Sequence, residues 1–309
     1  MGNRSVREEA QLQELFICVR KEWRRRRKEG MKERYKEIRE IGVGATAQVH
    51  LVEEISTGKV YAMKTSEKEE LLREEAGILQ GLTGNRFPRF KEYEGNCLVM
   101  EYIQGKDLQQ ILHTGKRFSV EETVYVVEEV LRTLEELHQQ VPPIIFRDLK
   151  PANIMIDPGG QIHLIDFGAA FCKGGQAVLR SGNGAMAGTY GYAAPEQFWS
   201  GVEPDARCDI YAAGKVLAYL LSGKNPAEPP YDMESYCKGL KRVPGEFWHI
   251  IERSLAMNPL ARYEGCMEML REIRLAYEEI KSKRLFKLHK KSSLNYMKCI
   301  WLSEYRRIF

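Results

Sequence analysis

The sequence predicts an α+β fold in two lobes: a small antiparallel sheet with one main helix, then a larger helical lobe. Length is the first observation behind this, because 309 residues at roughly 150 per domain leave room for two lobes or one large domain. Texture is the second. From Arg34 to Lys64, short Val- and Ile-rich runs alternate with turn residues, whereas beyond Gly105 the apolar residues recur at helical spacing. Continuity is the third, since neither a long Ser/Gly linker nor a repeat of solenoid length divides the chain.

Each element has its own signal. Residues 6–29 read as an amphipathic helix: Leu12, Leu15, Phe16, Val19 and Trp23 share one face, Arg24 to Lys28 follow, and Gly30 ends it. Ile38 to Val43, Gln48 to Glu53 and Val60 to Lys64 read as strands, the last two joined by the turn Ser56-Thr57-Gly58-Lys59. Glu67 to Leu82 reads as the helix of the first lobe. Two further strands flank Glu94-Gly95-Asn96, the second ending in Leu98-Val99-Met100. A hinge beside a natural cleft is expected near residues 101–107. In the second lobe Val120 to Gln139, Asp209 to Leu221, Glu246 to Leu255 and Cys266 to Lys281 read as helices. The expected divisions are an N-terminal extension 1–33, a folded domain 34–280 with lobes 34–103 and 104–280, and a C-terminal extension 281–309.

Composition excludes several classes. A hydrophobic share of 43% and a charged share of 29% are ordinary globular usage, which removes collagen-like, low-complexity and wholly disordered readings. The most apolar stretch, Ile210 to Leu221, is interrupted by Lys215 and falls short of the roughly 20 residues of a membrane span. A signal peptide is not expected, because Leu15 to Val19 is too short an apolar run and a small-residue cleavage site is missing. The 7 cysteines are widely spread with no C-x-x-C pair, so they are expected to be reduced, mostly buried and cytoplasmic, and neither bridged nor zinc-bound. The net charge of +4 is uneven: residues 20–40 carry +6, residues 281–309 carry +8, and the body between them is acidic.

Four motifs carry chemistry. Ile41-Gly42-Val43-Gly44-Ala45-Thr46-Ala47-Gln48-Val49 lies between two strands, where glycines let backbone N–H groups approach a phosphate. The element after these glycines is a strand, which disfavours a dinucleotide fingerprint. Val60-Tyr61-Ala62-Met63-Lys64 is a strand that ends in a lysine, whose meaning changes if a carboxylate on the next helix holds it. Ile145-Phe146-Arg147-Asp148-Leu149-Lys150-Pro151-Ala152-Asn153 packs a base, a cation and an oxygen ligand between apolar runs, the parts phosphoryl transfer needs. Asp166-Phe167-Gly168 places a carboxylate at an apolar strand end, which is costly to bury unless it holds a metal or a partner. Ala194-Pro195-Glu196 follows.

This ordered set resembles the eukaryotic-type (Hanks-type) serine/threonine protein kinases, bacterial members most closely, from about Ile38 to Leu275. The resemblance implies the bilobal protein-kinase fold and ATP- and magnesium-dependent transfer of the γ-phosphate to serine or threonine hydroxyls of protein substrates, itself included. Carried over residue by residue, it implies that Gly42, Val43, Gly44 and Val49 cover the phosphates and the adenine, with Ala62 and Met155 further nucleotide contacts. Lys64 would pair the α- and β-phosphates. Glu75 is the chosen helix partner of Lys64, with Glu74 and Glu70 as alternatives because the connection is unusually short. Glu101 and Ile103 would present hinge backbone to adenine, with Met100 as gatekeeper. Asp148 would be the catalytic base, Lys150 the γ-phosphate lysine, and Asn153 and Asp166 the magnesium ligands. Glu196 and Arg262 would brace the activation segment, and Asp209 would anchor the catalytic loop.

Two positions depart from the family pattern: Ala47 replaces the third loop glycine, and Phe146 replaces the usual histidine before Arg147. Neither removes a catalytic group. Lys150 and the run Gly188-Thr189-Tyr190-Gly191-Tyr192 resemble the serine/threonine-specific pattern, and Ser181 and Thr189 are candidate phosphorylation sites. A pseudokinase would be signalled by loss of Lys64, Asp148, Asn153 or Asp166, and all four are present. A small-molecule phosphotransferase of the antibiotic-kinase type would lack Lys150 and Ala194-Pro195-Glu196. The basic ends are compatible with docking on anionic lipid, and nucleic acid is a less favoured partner. The preferred reading is that both ends pack on the lobes with their charges in water. Serine at position 5, not 6, disfavours N-terminal acylation.

Overall fold

The computed structural model describes residues 30–31, 33–44, 46–173, 188–199, 203–229, 240 and 242–285. The helix expected over 6–29, Ser181 and nearly all of the 281–309 extension lie outside the described residues.

The chain divides into two compact units that are not consecutive pieces. The first holds the described residues up to Leu108 and resumes at Ala152; the second holds Gln109–Pro151 and the described residues from 188 onward. The expected boundary at 103/104 therefore does not describe the first unit, to which the segment after Pro151 returns.

The first unit is built on five antiparallel strands, β1 (Tyr35–Val43), β2 (Gln48–Glu54), β3 (Val60–Thr65), β4 (Phe90–Glu94) and β5 (Cys97–Glu101), in the order β1-β2-β3-β5-β4. Helix α1 (Glu69–Gly81) carries its buried residues at Leu72, Glu75, Ala76, Ile78 and Leu79, one helical face, and packs on β4 and β5. The period-2 alternation of the strands splits the sheet into two faces. Lys64 faces Glu75 on α1, and Ala62, two residues away, points the same way. Tyr61 and Met63 point oppositely, into a cluster with Tyr35, Val52, Cys97 and Val99.

Met31 belongs to that same cluster and is only 1% exposed. It sits in a helical turn just before β1, so the part of the expected extension that reaches residue 31 is core. Arg34 fastens this turn to β4 through Glu92 at 2.8 Å and Glu94 at 2.6 Å. A second, small sheet of the first unit pairs Lys106–Asp107 with Ile154–Ile156 and the latter with Ile162–Leu164. Gly105 precedes it at φ 154°, and a Cβ there would lie 2.2 Å from the Ile156 carbonyl oxygen, so only glycine fits.

The second unit is helical. After the short α2 (Leu108–His113), α3 (Val120–His138) starts on a capping box: Ser119 Oγ accepts the Glu122 N–H at 3.1 Å and Glu122 Oε2 accepts the Ser119 N–H at 2.7 Å. Helix α4 (Arg207–Ser222) is buried nearly all round, which its apolar sequence requires, and it ends at Gly223 in the left-handed region. It packs on α3 and on α5 (Trp248–Ser254), which follows a 3-10 turn at Gly245–Phe247. Residues 266–285 are helical (α6). Among the described residues, no helix is long and apolar enough to cross a membrane.

Candidate active site

Strand register assembles the first group of predicted residues. Gly42 pairs with Val49, Val49 with Lys64, and Lys64 with Leu98; in the adjoining row Leu51 pairs with Ala62 and Ala62 with Met100. Val49, Lys64 and Ala62 therefore share the α1 face of the sheet. Gly44 donates its N–H to the Ala47 carbonyl at 2.8 Å and closes the glycine-rich turn. Val43 lies at the edge of this turn, largely exposed.

Lys64 is the electrostatic centre of this unit. Its Nζ donates to both Glu75 oxygens, at 2.9 and 2.7 Å, and to Asp166 Oδ1 at 2.6 Å. Burial pulls the ammonium pKa down, but the Glu75 and Asp166 carboxylates outweigh it and hold the pKa above its ordinary value. Burial pushes the Glu75 pKa up, with Lys64 opposing. Glu75 is 2% exposed, while Glu70 is exposed and Glu74 half-buried. The structure thus brings Glu75, and not the two alternatives, to Lys64.

Asp166 sits in the left-handed region at φ 67°, a costly conformation for a residue with a Cβ. It is held there by Lys64 and by the Gly168 N–H, 3.3 Å from Oδ1. Next to it Phe167 is buried edge-to-face on Phe87, ring centroids 5.7 Å apart. Asn153 is buried and is tied to the segment before Asp166 by the Ile165 N–H, 3.0 Å from the Asn153 carbonyl. An amide oxygen and a half-exposed carboxylate are hard oxygen donors suited to magnesium, which takes one or two protein ligands and completes its shell with phosphate and water. Glu101, the last residue of β5, donates its N–H to the Arg89 carbonyl at 2.8 Å, and Ile103 is buried. Met155 pairs directly with Asp107 across the small sheet.

The second unit holds the other predicted group. Lys150 Nζ lies 2.8 Å from Asp148 Oδ2 and 2.7 Å from Thr189 Oγ1, and the Thr189 hydroxyl donates to Asp148 Oδ1 at 2.7 Å. With its hydroxyl committed on both sides, Thr189 serves this triangle and is a poor phosphate acceptor. Gly188 before it has φ 120°, and a Cβ there would lie 2.7 Å from the Ala193 Cβ.

The loop that carries Asp148 is braced from below. Asp209, fully buried, accepts the Phe146 N–H at 2.9 Å, the Arg147 N–H at 2.7 Å and His138 Nε2 at 2.8 Å. The Cys266 thiol lies 3.6 Å from His138 Nδ1, and Nε2 donates to Asp209, whose carboxylate can only accept. Burial pushes the Cys266 and Cys208 thiols well up, so both stay protonated. Gln197 adds a clamp from above, donating to the Arg147 carbonyl at 2.9 Å and accepting the Ala194 N–H at 2.9 Å. Held by N–H and carbonyl alike, Arg147 keeps a φ of 67°. Glu196 and Arg262 form a buried bidentate pair at 2.6 and 2.9 Å.

Three residues of these groups were missed in the sequence. His138 closes α3 after Leu137, and Gln197 directly follows Glu196; both are polar residues at the ends of well-marked elements. Asp107 is a carboxylate two residues past Gly105, in a strand too short to read.

A model of the protein kinase domain matches residues 35–286. The chain belongs to the protein kinase family. Among its relatives, the serine/threonine-protein kinase PrkC of Bacillus subtilis is 28% identical over 268 residues, 79% of this chain and 41% of that protein. The serine/threonine-protein kinase PknB of Mycobacterium tuberculosis is 33% identical over 191 residues, 56% of this chain and 29% of that protein. G protein-coupled receptor kinase 2 of Caenorhabditis elegans is 31% identical over 202 residues, 60% of this chain and 28% of that protein. This kinase chain spans less than half the length of each of them. The bilobal α+β fold expected from the sequence is that of its family.

Proposed function

We propose that the chain transfers the γ-phosphate of ATP to serine or threonine hydroxyls of protein substrates, itself included. The observation that carries this is the buried Lys64 ammonium, held at 2.6 to 2.9 Å by Glu75 and Asp166 on the face that bears Val49 and Ala62. An apolar wall, a fixed cation and a glycine-rich turn suit a nucleoside triphosphate better than any other ligand of this charge.

In this reading Gly42, Gly44 and the loop amides cover the phosphates, and Val43, Val49, Ala62 and Met155 enclose the base. Glu101 and Ile103 present backbone groups to it. Lys64 orients the α- and β-phosphates, and Asp107, paired with Met155 across the small sheet, would accept from a ribose hydroxyl. Asn153 and Asp166 would hold magnesium, which when bound offsets phosphate charge. Asp148 orients the acceptor hydroxyl and takes its proton, while Lys150 offsets charge developing on the transferring group. The chain's contribution is positioning and electrostatics, not covalent chemistry.

Serine/threonine preference is supported by the Lys150–Asp148–Thr189 triangle, which fixes the lysine against the base. The relatives PrkC and PknB are serine/threonine-protein kinases by name, in agreement with it. The protonated, buried Cys208 and Cys266 thiols suit a reducing, cytoplasmic setting. For the basic ends we favour solvated charge over lipid docking. The test is a peptide mixture offering serine, threonine and tyrosine acceptors with labelled ATP and magnesium. Label on serine or threonine is expected; label confined to tyrosine would contradict the proposed specificity.

A further inference from the structure

Ser66 joins the entry of α1 to two parts of the first unit that sequence places far from it. Its Oγ donates to the Thr46 carbonyl in the glycine-rich turn at 2.6 Å and accepts the Lys68 N–H at the entry to α1 at 3.1 Å. Its own N–H donates to the Asn96 carbonyl in the β4–β5 turn at 3.1 Å. The side chain is buried, at 8% exposure for the residue. The bond to Lys68 is a local turn bond of a kind serine makes in many connections. The bond to Thr46 spans 20 residues and is not local.

The connection that carries Ser66 is short. β3 ends at Thr65 and α1 begins at Glu69, so at about 3.3–3.6 Å per residue the first turn of α1 stays within about 14 Å of the strand end. Lys68, the N-cap of α1, makes no side-chain capping bond, and its own N–H is accepted by Ser66 Oγ. The Tyr93 hydroxyl donates to the Glu69 carbonyl at 3.3 Å and holds the same turn from β4. Lifting the glycine-rich turn would therefore break a bond made by the hydroxyl that also organises the start of α1, the helix that delivers Glu75 to Lys64.

We propose that Ser66 is a positioning residue for the nucleotide: its hydroxyl ties the glycine-rich turn at Thr46 to the entry of α1 and so sets where the turn sits over the phosphates. The proposal rests on the kinase reading above and extends it to a residue outside the family motifs. With its hydroxyl bonded to the Thr46 carbonyl and the Lys68 N–H, Ser66 acts through the turn. Its loss weakens ground-state and transition-state binding of the nucleotide alike, which raises KM and leaves kcat nearly alone.

The experiment compares wild type, Ser66→Ala, Ser66→Cys and Ser66→Thr in the full chain. It measures the Kd for magnesium-ATP by calorimetry, KM and kcat separately, and amide exchange over residues 42–49. Loss of this one hydrogen bond is expected to raise Kd and KM for ATP about 3- to 10-fold in Ser66→Ala, with kcat within about twofold and faster exchange in the turn. Ser66→Cys keeps the volume with a weaker donor and should fall between, which serves if the alanine variant folds poorly. Ser66→Thr keeps the hydroxyl and should restore wild-type affinity. Unchanged affinity in folded Ser66→Ala, or a threonine variant as weak as alanine, would overturn the proposal. If wild type bound ATP without transferring phosphate, the kinase reading would fail while the Kd comparison still decided the role of Ser66.

Discussion

Replacing Glu196 by glutamine should cost the second unit about 3–5 kcal/mol, the expected penalty for leaving a buried charge without its partner. The Arg262 side chain is 0% exposed and that of Glu196 3%, and two parallel bonds of 2.6 and 2.9 Å join them. At an effective dielectric near 20, charges about 4 Å apart attract by about 4 kcal/mol, which sets the same scale. The guanidinium would keep other partners: Nε donates to the Ala256 carbonyl at 2.8 Å, Nη1 to the Arg207 carbonyl at 3.1 Å, and the Tyr211 ring lies 4.9 Å away. These retained contacts place the expected loss at the lower end, about 3 kcal/mol, still a large part of a stability of about 5–15 kcal/mol. Urea unfolding followed by tryptophan fluorescence measures it. Adding Arg262→Met should recover at least half, because the orphaned charge is then gone. A single-variant loss below about 1 kcal/mol would mean that the pair behaves as a solvated surface bridge, and the account of the brace would be wrong.

Three further predictions follow from the same bonds. In Lys64→Met, Glu75 keeps its burial and loses its counter-ion, so its folded pKa, already raised, rises further. A raised carboxyl pKa gives stability that is present at low pH and lost as pH rises through it. The variant's deficit should therefore grow from pH 5 to pH 8, by up to about 1.4 kcal/mol per unit while the group titrates, and a deficit that is flat or shrinks with pH contradicts this. Asp209→Asn exchanges a carboxylate that accepts from Phe146, Arg147 and His138 for an amide with one accepting atom; the loss should be about 2–3 kcal/mol, with kcat falling more than the KM for ATP in steady-state assays. Ser119→Ala removes the cap of α3 and should lower stability by about 1 kcal/mol in thermal unfolding, without changing KM.

The site was legible where a side chain's chemistry and its chain position both speak. Asp148, Lys150, Asn153 and Asp166 are charged or amide groups set between apolar runs, whereas Lys64 and the individual roles were read from the family resemblance. The long elements were legible too: Gln48–Glu54 and Val120–His138 lie within a residue of expectation, because period 2 and period 3.6 persist long enough to count. Helix α4 begins at Arg207, two residues before the expected Asp209, because Asp205 Oδ1 accepts the Arg207 N–H at 2.9 Å. Strands of two or three residues, such as Lys106–Asp107 and Ile162–Leu164, have no period to read. The division into units was hidden for a different reason: a chain that returns after Pro151 to its first unit is a matter of long-range packing, not local pattern. Burial of Met31 is of the same kind. A methionine beside Arg34 looks like the end of an arm, and only the cluster on the outer face of the sheet makes it core. Glu75 was already the sequence's choice over Glu70 and Glu74, and it is the one of the three buried on the face of α1 that meets Lys64.

The central claim is phosphate transfer that depends on Asp148. The direct measurement is incorporation of label from γ-labelled ATP, with magnesium and a basic protein substrate, by wild type and by folded Asp148→Asn that still binds ATP. Label on serine or threonine is expected with wild type, with a loss of at least about 100-fold in the variant, the scale of general-base catalysis. Equal incorporation by the two proteins, or none by wild type that binds magnesium-ATP, would contradict it.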